Sequence, residues 1–402
     1  MKKLISTTIF IAIFLSSCMS ACSSTDPIID NDDGKDIVYP PKKPDPNVDF
    51  KKYTVFNAGD DGVNSYRIPS IVTANDGSVL VFAEARKDSW RDKSRTDIVL
   101  KRSVDGGKNW SAMKYLTNGA SGAFMDPTPI VDNKTGRIFL FTTFWPTHDH
   151  SAMSNKAYVI TSDDNGVSWS APIDITADLI PNGYFINGFG PGSGLQMKGD
   201  EYKDRLILPA RILNGSNSQI RNYTLYSDDA GDSWKMGKAA DTGGEFQIAE
   251  SPKDVLIYNA RTAGARRVAR SFDGGITWGA SHIDSSLPGV SKGCQSSVLG
   301  SGNTLYYSGI EGIPETNYYD ERAGLLLFKS VNGGESWPTK LHLYDKAAGY
   351  SGLTMINNNS QLGIIFETAD SDGFTRQSIS GTQKRPAGWM RLDIIVIPIN
   401  NI

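Results

Sequence analysis

Five copies of one turn motif, six spaced pairs of apolar strand-like runs and 40 glycines predict an all-β chain folded as a six-bladed β-propeller. The motif is Ser-x-Asp-x-Gly-x-x-Trp. It occupies residues 103–110, 162–169, 227–234, 271–278 and 330–337, with Asn332 replacing Asp in the last copy. Its chemistry is that of a tight corner. The Asp or Asn side chain bonds to nearby backbone, Gly takes a positive φ, and Trp packs across the turn. Each copy follows a strand-like run, such as residues 98–103 or 157–162, so each closes a β-hairpin.

The chain opens on a targeting segment. Lys2 and Lys3 form a positive start, residues 4–15 are mostly apolar, and Leu-Ser-Ser-Cys ends at Cys18. This is similar to a bacterial lipoprotein signal, with lipidation expected at Cys18 and Cys22 as the poorer candidate. Signal peptide and lipobox together cover 1–22. The apolar run is too short for a stable membrane span. Residues 23–49, rich in Ser, Asp and Pro, cannot bury a core and read as a flexible tether. Residues 50–402 are expected to form one domain. The predicted location is the bacterial cell envelope, held by the lipid on its membrane.

The strand runs come in order. Six strong ones lie at 78–86, 137–145, 205–213, 254–261, 304–310 and 362–367, starting 49 to 68 residues apart. Another apolar run precedes each, at 65–72, 126–131, 192–197, 245–249, 294–299 and 350–356. After each of the first five comes a third strand and then the corner motif. The sixth unit lacks the motif. Its outer strands are expected from 375–380 and 389–397, or from the N-terminal run 53–57. An immunoglobulin-like array would repeat nearer every 100 residues.

Composition narrows the function. A net charge of −3 gives no sign of a nucleic-acid partner. His148 and His150 form an isolated pair without a third ligand nearby and read as a polar loop. Of the three cysteines only Cys294 falls in the folded part, which excludes an internal disulfide there. A monomer is expected.

Strand direction then sorts the polar residues. The innermost strands of a propeller all run the same way, so their starts meet on one face, and second strands end there. Tyr66, Arg67, Asp126, Glu245, Gln295 and Tyr350 lie at or just before first-strand starts. Arg86, Trp145, Arg211, Arg261 and Glu367 lie at second-strand ends. Asp92 sits in the loop beyond Arg86, and Arg322 opens the third strand of the fifth unit. The corner motifs fall on the opposite face.

Tyr66-Arg-Ile-Pro69, the five corner motifs, Ala83-Glu-Ala-Arg86 with Asp92 and Asp97, Glu245-Phe-Gln-Ile-Ala-Glu250 with Asn259-Ala-Arg261, Gly293-Cys-Gln295 and Gly349-Tyr-Ser-Gly-Leu353 together resemble the sialidase (exo-α-neuraminidase) family over residues 53–398. The resemblance implies that Arg67, Arg261 and Arg322 hold a sialic acid carboxylate. It implies Tyr350 as nucleophile, Glu245 as its base and Asp92 as acid/base. Arg86 and Asp126 would meet the sugar's 4-hydroxyl and N-acetyl side, and Gln295 would be a further binding residue. Asp88 competes with Asp92, and Glu250 with Glu245, until spacing is weighed. Asp92 lies five residues before Asp97, and Glu245 sixteen before Arg261. No metal or organic cofactor is implied.

The chemistry suits a sialic acid. A carboxylate on the anomeric carbon matches planar guanidinium forks. It would repel a carboxylate nucleophile but not a neutral phenol, and a phenol of pKa about 10 needs a base. The expected substrates are sialylated glycans or gangliosides. A transferase, including an intramolecular one, and a non-catalytic glycan-binding propeller are the competing readings.

Overall fold

The computed structural model describes residues 50–146, 151–312, 322–369 and 391–402, with the backbone of 377–379 and 383–385. His148, His150, Cys18, Cys22 and the tether lie outside them. The fold class is all-β. Beyond short single turns, the described residues contain one four-residue helix, Thr176–Leu179.

Among the described residues, strand pairing resolves into six consecutive antiparallel meanders, five of four strands and the third of five. The first joins Ser65–Thr73, Val79–Arg86, Thr96–Ser103 and Lys114–Tyr115. The second joins Gly122–Val131, Ile138–Pro146, Lys156–Ser162 and Ile173–Asp174. In the third, Tyr184–Phe189 and the short Leu195–Gln196 both pair with Leu206–Asn214, followed by Gln219–Ser227 and Lys235–Met236. The fourth is Phe246–Glu250, Leu256–Thr262, Ala265–Ser271 and His282–Asp284. The fifth is Ser297–Ser301, Thr304–Ile310, Ala323–Ser330 and the start of Thr339–Ile356. That 18-residue strand runs on to begin the sixth meander, which continues through Gln361–Thr368 and Arg391–Pro398.

The sixth sheet is completed by Lys52–Asn57, which pairs with Arg391–Pro398. So the N-terminal run is the outermost strand there. Residues 377–379 pair instead with 383–385 in a separate ribbon, which corrects the expectation that 375–380 would join the sheet. Two other expectations shift. The third meander opens on Tyr184–Phe189 rather than at 192. Its run Gly188-Phe-Gly-Pro-Gly-Ser-Gly194 breaks the ladder, because Pro191 has no N–H and glycines hold a strand poorly. The second meander begins at Gly122, and Asp126 sits in a bulge between Met125 and Thr128 with φ 58°.

The corner motifs lie where third strands end, and each grips its neighbour. Ser103 Oγ accepts the Gly107 N–H, while Asp105 Oδ1 accepts the Asn109 N–H at 2.9 Å. Asn332 does the same work in the fifth corner, accepting from Ser336 N at 3.1 Å. The second motif's Trp169 packs edge-on to Phe82 of the first meander, and the third's Trp234 onto Phe141 of the second. Trp278 donates to Thr224 of the third sheet, and Trp337 to Asp284 of the fourth. The first motif's Gly107 faces Ile394 and Val396 of the sixth sheet. Each meander therefore packs on the one before it, and the first packs on the sixth.

Candidate active site

The polar residues at strand ends converge as strand direction requires. Tyr350, in the strand shared by the last two sheets, donates from its hydroxyl to Glu245 Oε1 at 2.6 Å. Glu245 directly precedes the first strand of the fourth meander. Arg261, near the end of that meander's second strand, reaches both: its Nη1 donates to Glu245 Oε2 at 2.7 Å and to the Tyr350 oxygen at 2.8 Å. Two further guanidinium groups face the same phenol ring. Arg67 Cζ lies 5.3 Å from its centroid and Arg322 Cζ 5.4 Å. Four sheets thus deliver five groups to one place.

The charges there are tuned by burial and by one another. Burial and the Glu245 charge push the Tyr350 phenol well above its usual range, against the pull of three arginines. Burial also pushes Glu245 upward, but Arg261, Arg211 and the Tyr350 hydrogen bond outweigh it and hold the carboxyl below its ordinary value. At neutral pH this is a neutral phenol bonded to a carboxylate.

Asp92 joins the same cluster through Arg67. Its carboxylate lies 2.7 Å from Arg86 Nη1 and 3.8 Å from Arg67 Nη1. Its pKa is held down: Arg86 and Arg67 overcome the upward push of burial. The rival Asp88 is turned away and bonds Arg95 at the loop base. Glu250 also lies elsewhere, accepting the Lys198, Gly199 and Asp254 backbone N–H groups.

Three expected sugar contacts have other duties here. Arg86 is fully buried, fixed by Glu84 Oε2 at 2.7 and 2.9 Å and by the Trp90 carbonyl, with Asp92 over it. Asp126 pairs with Arg211, and its N–H donates to Glu84 Oε1 at 3.0 Å. Burial pushes Glu84 and Asp126 upward, against Arg86 and Arg211. Gln295 is bonded to the backbone. Its amide is 2% exposed and holds Ser351 from both sides, accepting its N–H and donating to its C=O at 3.0 Å. It fixes the backbone next to Tyr350 instead of facing solvent.

Two buried acids without an expected role complete the frame. Glu367 grips Arg67 with both oxygens, at 3.0 and 3.1 Å, and accepts the Ile68 and Tyr350 N–H groups. Glu84 holds Arg86 through Oε2 and accepts the Asp126 N–H through Oε1. The available signal was local: each is a lone acid inside an apolar strand, and Glu84 shares a face with Arg86 two residues on. Among the described residues, no group of three or more His, Cys, Asp or Glu is placed to hold a metal ion.

Known proteins carry the same plan. A family described as the BNR repeat-like domain matches residues 77–364. A sialidase of Bacteroides fragilis is 32% identical over 78% of this chain and 62% of its own length. A sialidase of Clostridium perfringens is 32% identical over 64% of this chain and 71% of its own. The solved Hadza microbial sialidase Hz136 is 26% identical, with a TM-score of 0.74 over 87% of this chain and 69% of that one. The chain thus spans under two thirds of the length of the Bacteroides relative.

Proposed function

This chain belongs to the sialidase family, and from that premise we propose that it is an exo-α-sialidase, releasing terminal sialic acids from glycoconjugates with retention of anomeric configuration. The six meanders are read as the blades of one propeller, spanning 50–402, whose shared face is the active site. Their ring order, first packing on sixth, supports that reading. The observation that carries the mechanism is the Tyr350–Glu245–Arg261 triangle, with Arg67 and Arg322 flanking the phenol.

Three guanidinium groups around one ring form a socket for a carboxylate. They orient the sugar and offset the cost of taking its charge out of water. The anomeric carbon is then beside the Tyr350 oxygen. Most retaining glycosidases attack with a carboxylate, and sialidases are an exception using tyrosine. The phenol's raised pKa makes it inert alone. Its proton passes along the 2.6 Å bond to Glu245 as the oxygen attacks, and Arg261 stabilises the developing phenolate.

Asp92 protonates the departing oxygen and then deprotonates the water that releases the sugar. In the free site it is held ionised by Arg86 and Arg67. The substrate's carboxylate shares Arg67 and adds a like charge, so binding raises the Asp92 pKa and readies it as an acid. When Asp92 moves off Arg86, that guanidinium and Asp126 are free to meet the 4-hydroxyl and N-acetyl side. Substrates are sialylated glycans or gangliosides. Residues 1–22 would direct export and lipidation at Cys18, and 23–49 would tether the domain to the bacterial envelope. One acyl chain binds membranes only marginally, so several on that cysteine are implied.

A fluorinated sialic acid that traps the covalent intermediate tests the assignment. Peptide sequencing should find the label on Tyr350, and NMR of sialyllactose turnover should show the retained anomer first. A label elsewhere, or an inverted first product, would overturn it.

A further inference from the structure

From Arg86 to Asp97 the chain carries five cations and three carboxylates: Arg86, Lys87, Arg91, Lys93 and Arg95 against Asp88, Asp92 and Asp97. Each carboxylate has a cation from the same segment. Asp88 pairs with Arg95 at 2.5 Å, Asp92 with Arg86 at 2.7 Å, and Asp97 with Lys87. That uses three cations and leaves Arg91 and Lys93, the two neighbours of Asp92. Among the described residues neither forms an ion pair with a carboxylate. Both lie on indoles instead. Lys93 Nζ is 4.1 Å from the Trp145 ring centroid, and Arg91 Cζ is 5.6 Å from that of Trp90. Lys93 also has φ 61°, an unfavourable backbone for a lysine.

We propose that Arg91, Lys93, Trp90 and Trp145 form a leaving-group subsite for a sugar that is itself anionic, and that the preferred bond joins two sialic acids, as in an α2,8-linked chain. The proposal rests on the reading of Asp92 as the acid. Whatever departs must have its oxygen beside Asp92, and so lies against that residue's two cationic neighbours. A neutral galactose offers them no charge. A second sialic acid brings a carboxylate for the cations and a ring face for the half-buried Trp90, while buried Trp145 seats Lys93. Hydrolysis adds one water across the bond and releases two sialic acids, with no oxidant or cofactor. Burial pushes the Lys93 ammonium down and the Asp92 charge offsets only part of that, so an incoming carboxylate would relieve the rest.

The test uses the full chain with three substrates: α2,3-sialyllactose, the same sugar sulfated on galactose, and an α2,8-linked sialic acid dimer. The wild type should favour the dimer in kcat/KM, and raised salt should shrink that preference. Lys93→Ala and Arg91→Ala should each lower dimer turnover about three- to tenfold while sparing α2,3-sialyllactose, whose lactose leaving group is neutral. Equal losses on both substrates, or a preference indifferent to salt, would overturn the subsite. A sulfated substrate matching the dimer would overturn its assignment to a sialic acid. Intact α2,3 cleavage without any dimer preference defeats this proposal alone. Failure to cleave all three defeats the sialidase reading as well.

Discussion

Asp92 and Glu245 are both carboxyls held low in the free site, yet the proposed mechanism asks opposite things of them. Glu245 must be ionised to take a proton, and Asp92 must be protonated to give one. With both pKa values depressed, the productive combination is most populated on the acid side of neutrality. For natural glycosides kcat/KM should therefore decline as pH rises through and above the carboxylate range, because the protonated fraction of Asp92 falls tenfold per unit. An aryl sialoside with a good leaving group needs little protonation, so its descending limb should be shallower. Asp92→Ala should harm the natural glycoside far more than the aryl one. Parallel pH profiles for the two substrates would count against Asp92 as the acid. Glu367 supports a second residue-scale prediction. It is fully buried and holds both Arg67 and the Tyr350 backbone. Glu367→Gln removes the buried bidentate carboxylate from Arg67 and leaves the half-exposed Asp92, 3.8 Å away, as its acid in the site, and breaking a buried pair costs about 3–5 kcal/mol. Stability should fall by a sizeable part of that, with kcat/KM on sialyllactose down roughly 100-fold. A variant with wild-type Tm and turnover would remove Glu367 from the clamp. Sequence reading placed Tyr350, Glu245, the arginines and Asp92 on one face because strand direction brings those strand ends together, and the structure gathers these groups. It gave Glu84 and Glu367 no role because their importance lies in partners distant along the chain: Glu367 meets Arg67 across 300 residues. Gln295 was reached but read outward, since sequence does not tell which side of a strand start the amide takes.

At the scale of the element, the hydrogen-bonded turn of the corner motif was legible, Asn332 included. What sequence alone could not tell is that each corner also fastens one sheet to the previous one. Gly166 and Gly231, at φ 83° and 91°, sit against Leu80 and Phe139 of the preceding meander, and a Cβ at either would collide with that side chain. Strain and overpacking then add, so Gly166→Ala or Gly231→Ala should cost about 2–4 kcal/mol. Gly62→Ala, also at positive φ but with open space around it, should cost only the backbone part. Similar Tm losses in all three would show that packing between sheets is not at stake. The corner acids also give the fold a pH signature. Hydrogen bonds from neighbouring backbone and side chains lower Asp105, Asp164 and Asp229 to about 2. A carboxyl whose pKa falls on folding stabilises the native state above its unfolded value near 4. That contribution is lost as pH drops through about 2. Asn332 cannot titrate. Converting the three acids to Asn should therefore flatten the fall of Tm between those limits, and an unaltered slope would assign acid unfolding to other groups.

For the whole molecule, the strand that matters most is the one sequence left as an alternative. Lys52–Asn57 comes first in the chain but completes the last sheet, pairing with Arg391–Pro398. Its Val55 and Phe56 are buried, and Phe56 stacks 4.8 Å from Tyr66 of the first sheet. It therefore ties chain start to chain end, and the first sheet to the sixth. Periodicity could not decide this, because a six-residue strand far from its partner looks the same whether it pairs or not. By composition, residues 23–49 read as a tether. Two truncations separate these parts. A chain beginning at Phe50 should fold and retain sialyllactose turnover near that of the full chain. A chain beginning at Ala58 loses the outer strand, exposes the edge of Arg391–Pro398 as a template for pairing with other chains, and gives up the burial of Val55 and Phe56. Burying such side chains is worth about 1.5–3 kcal/mol each, so this shorter chain should melt much lower and aggregate. Adding a synthetic peptide of residues 50–57 should restore part of the lost Tm, because the vacant edge has one matching register. If the chain from Ala58 is as stable as the chain from Phe50, closure does not depend on the N-terminal strand, and the ring is held by the corner contacts between neighbouring sheets alone.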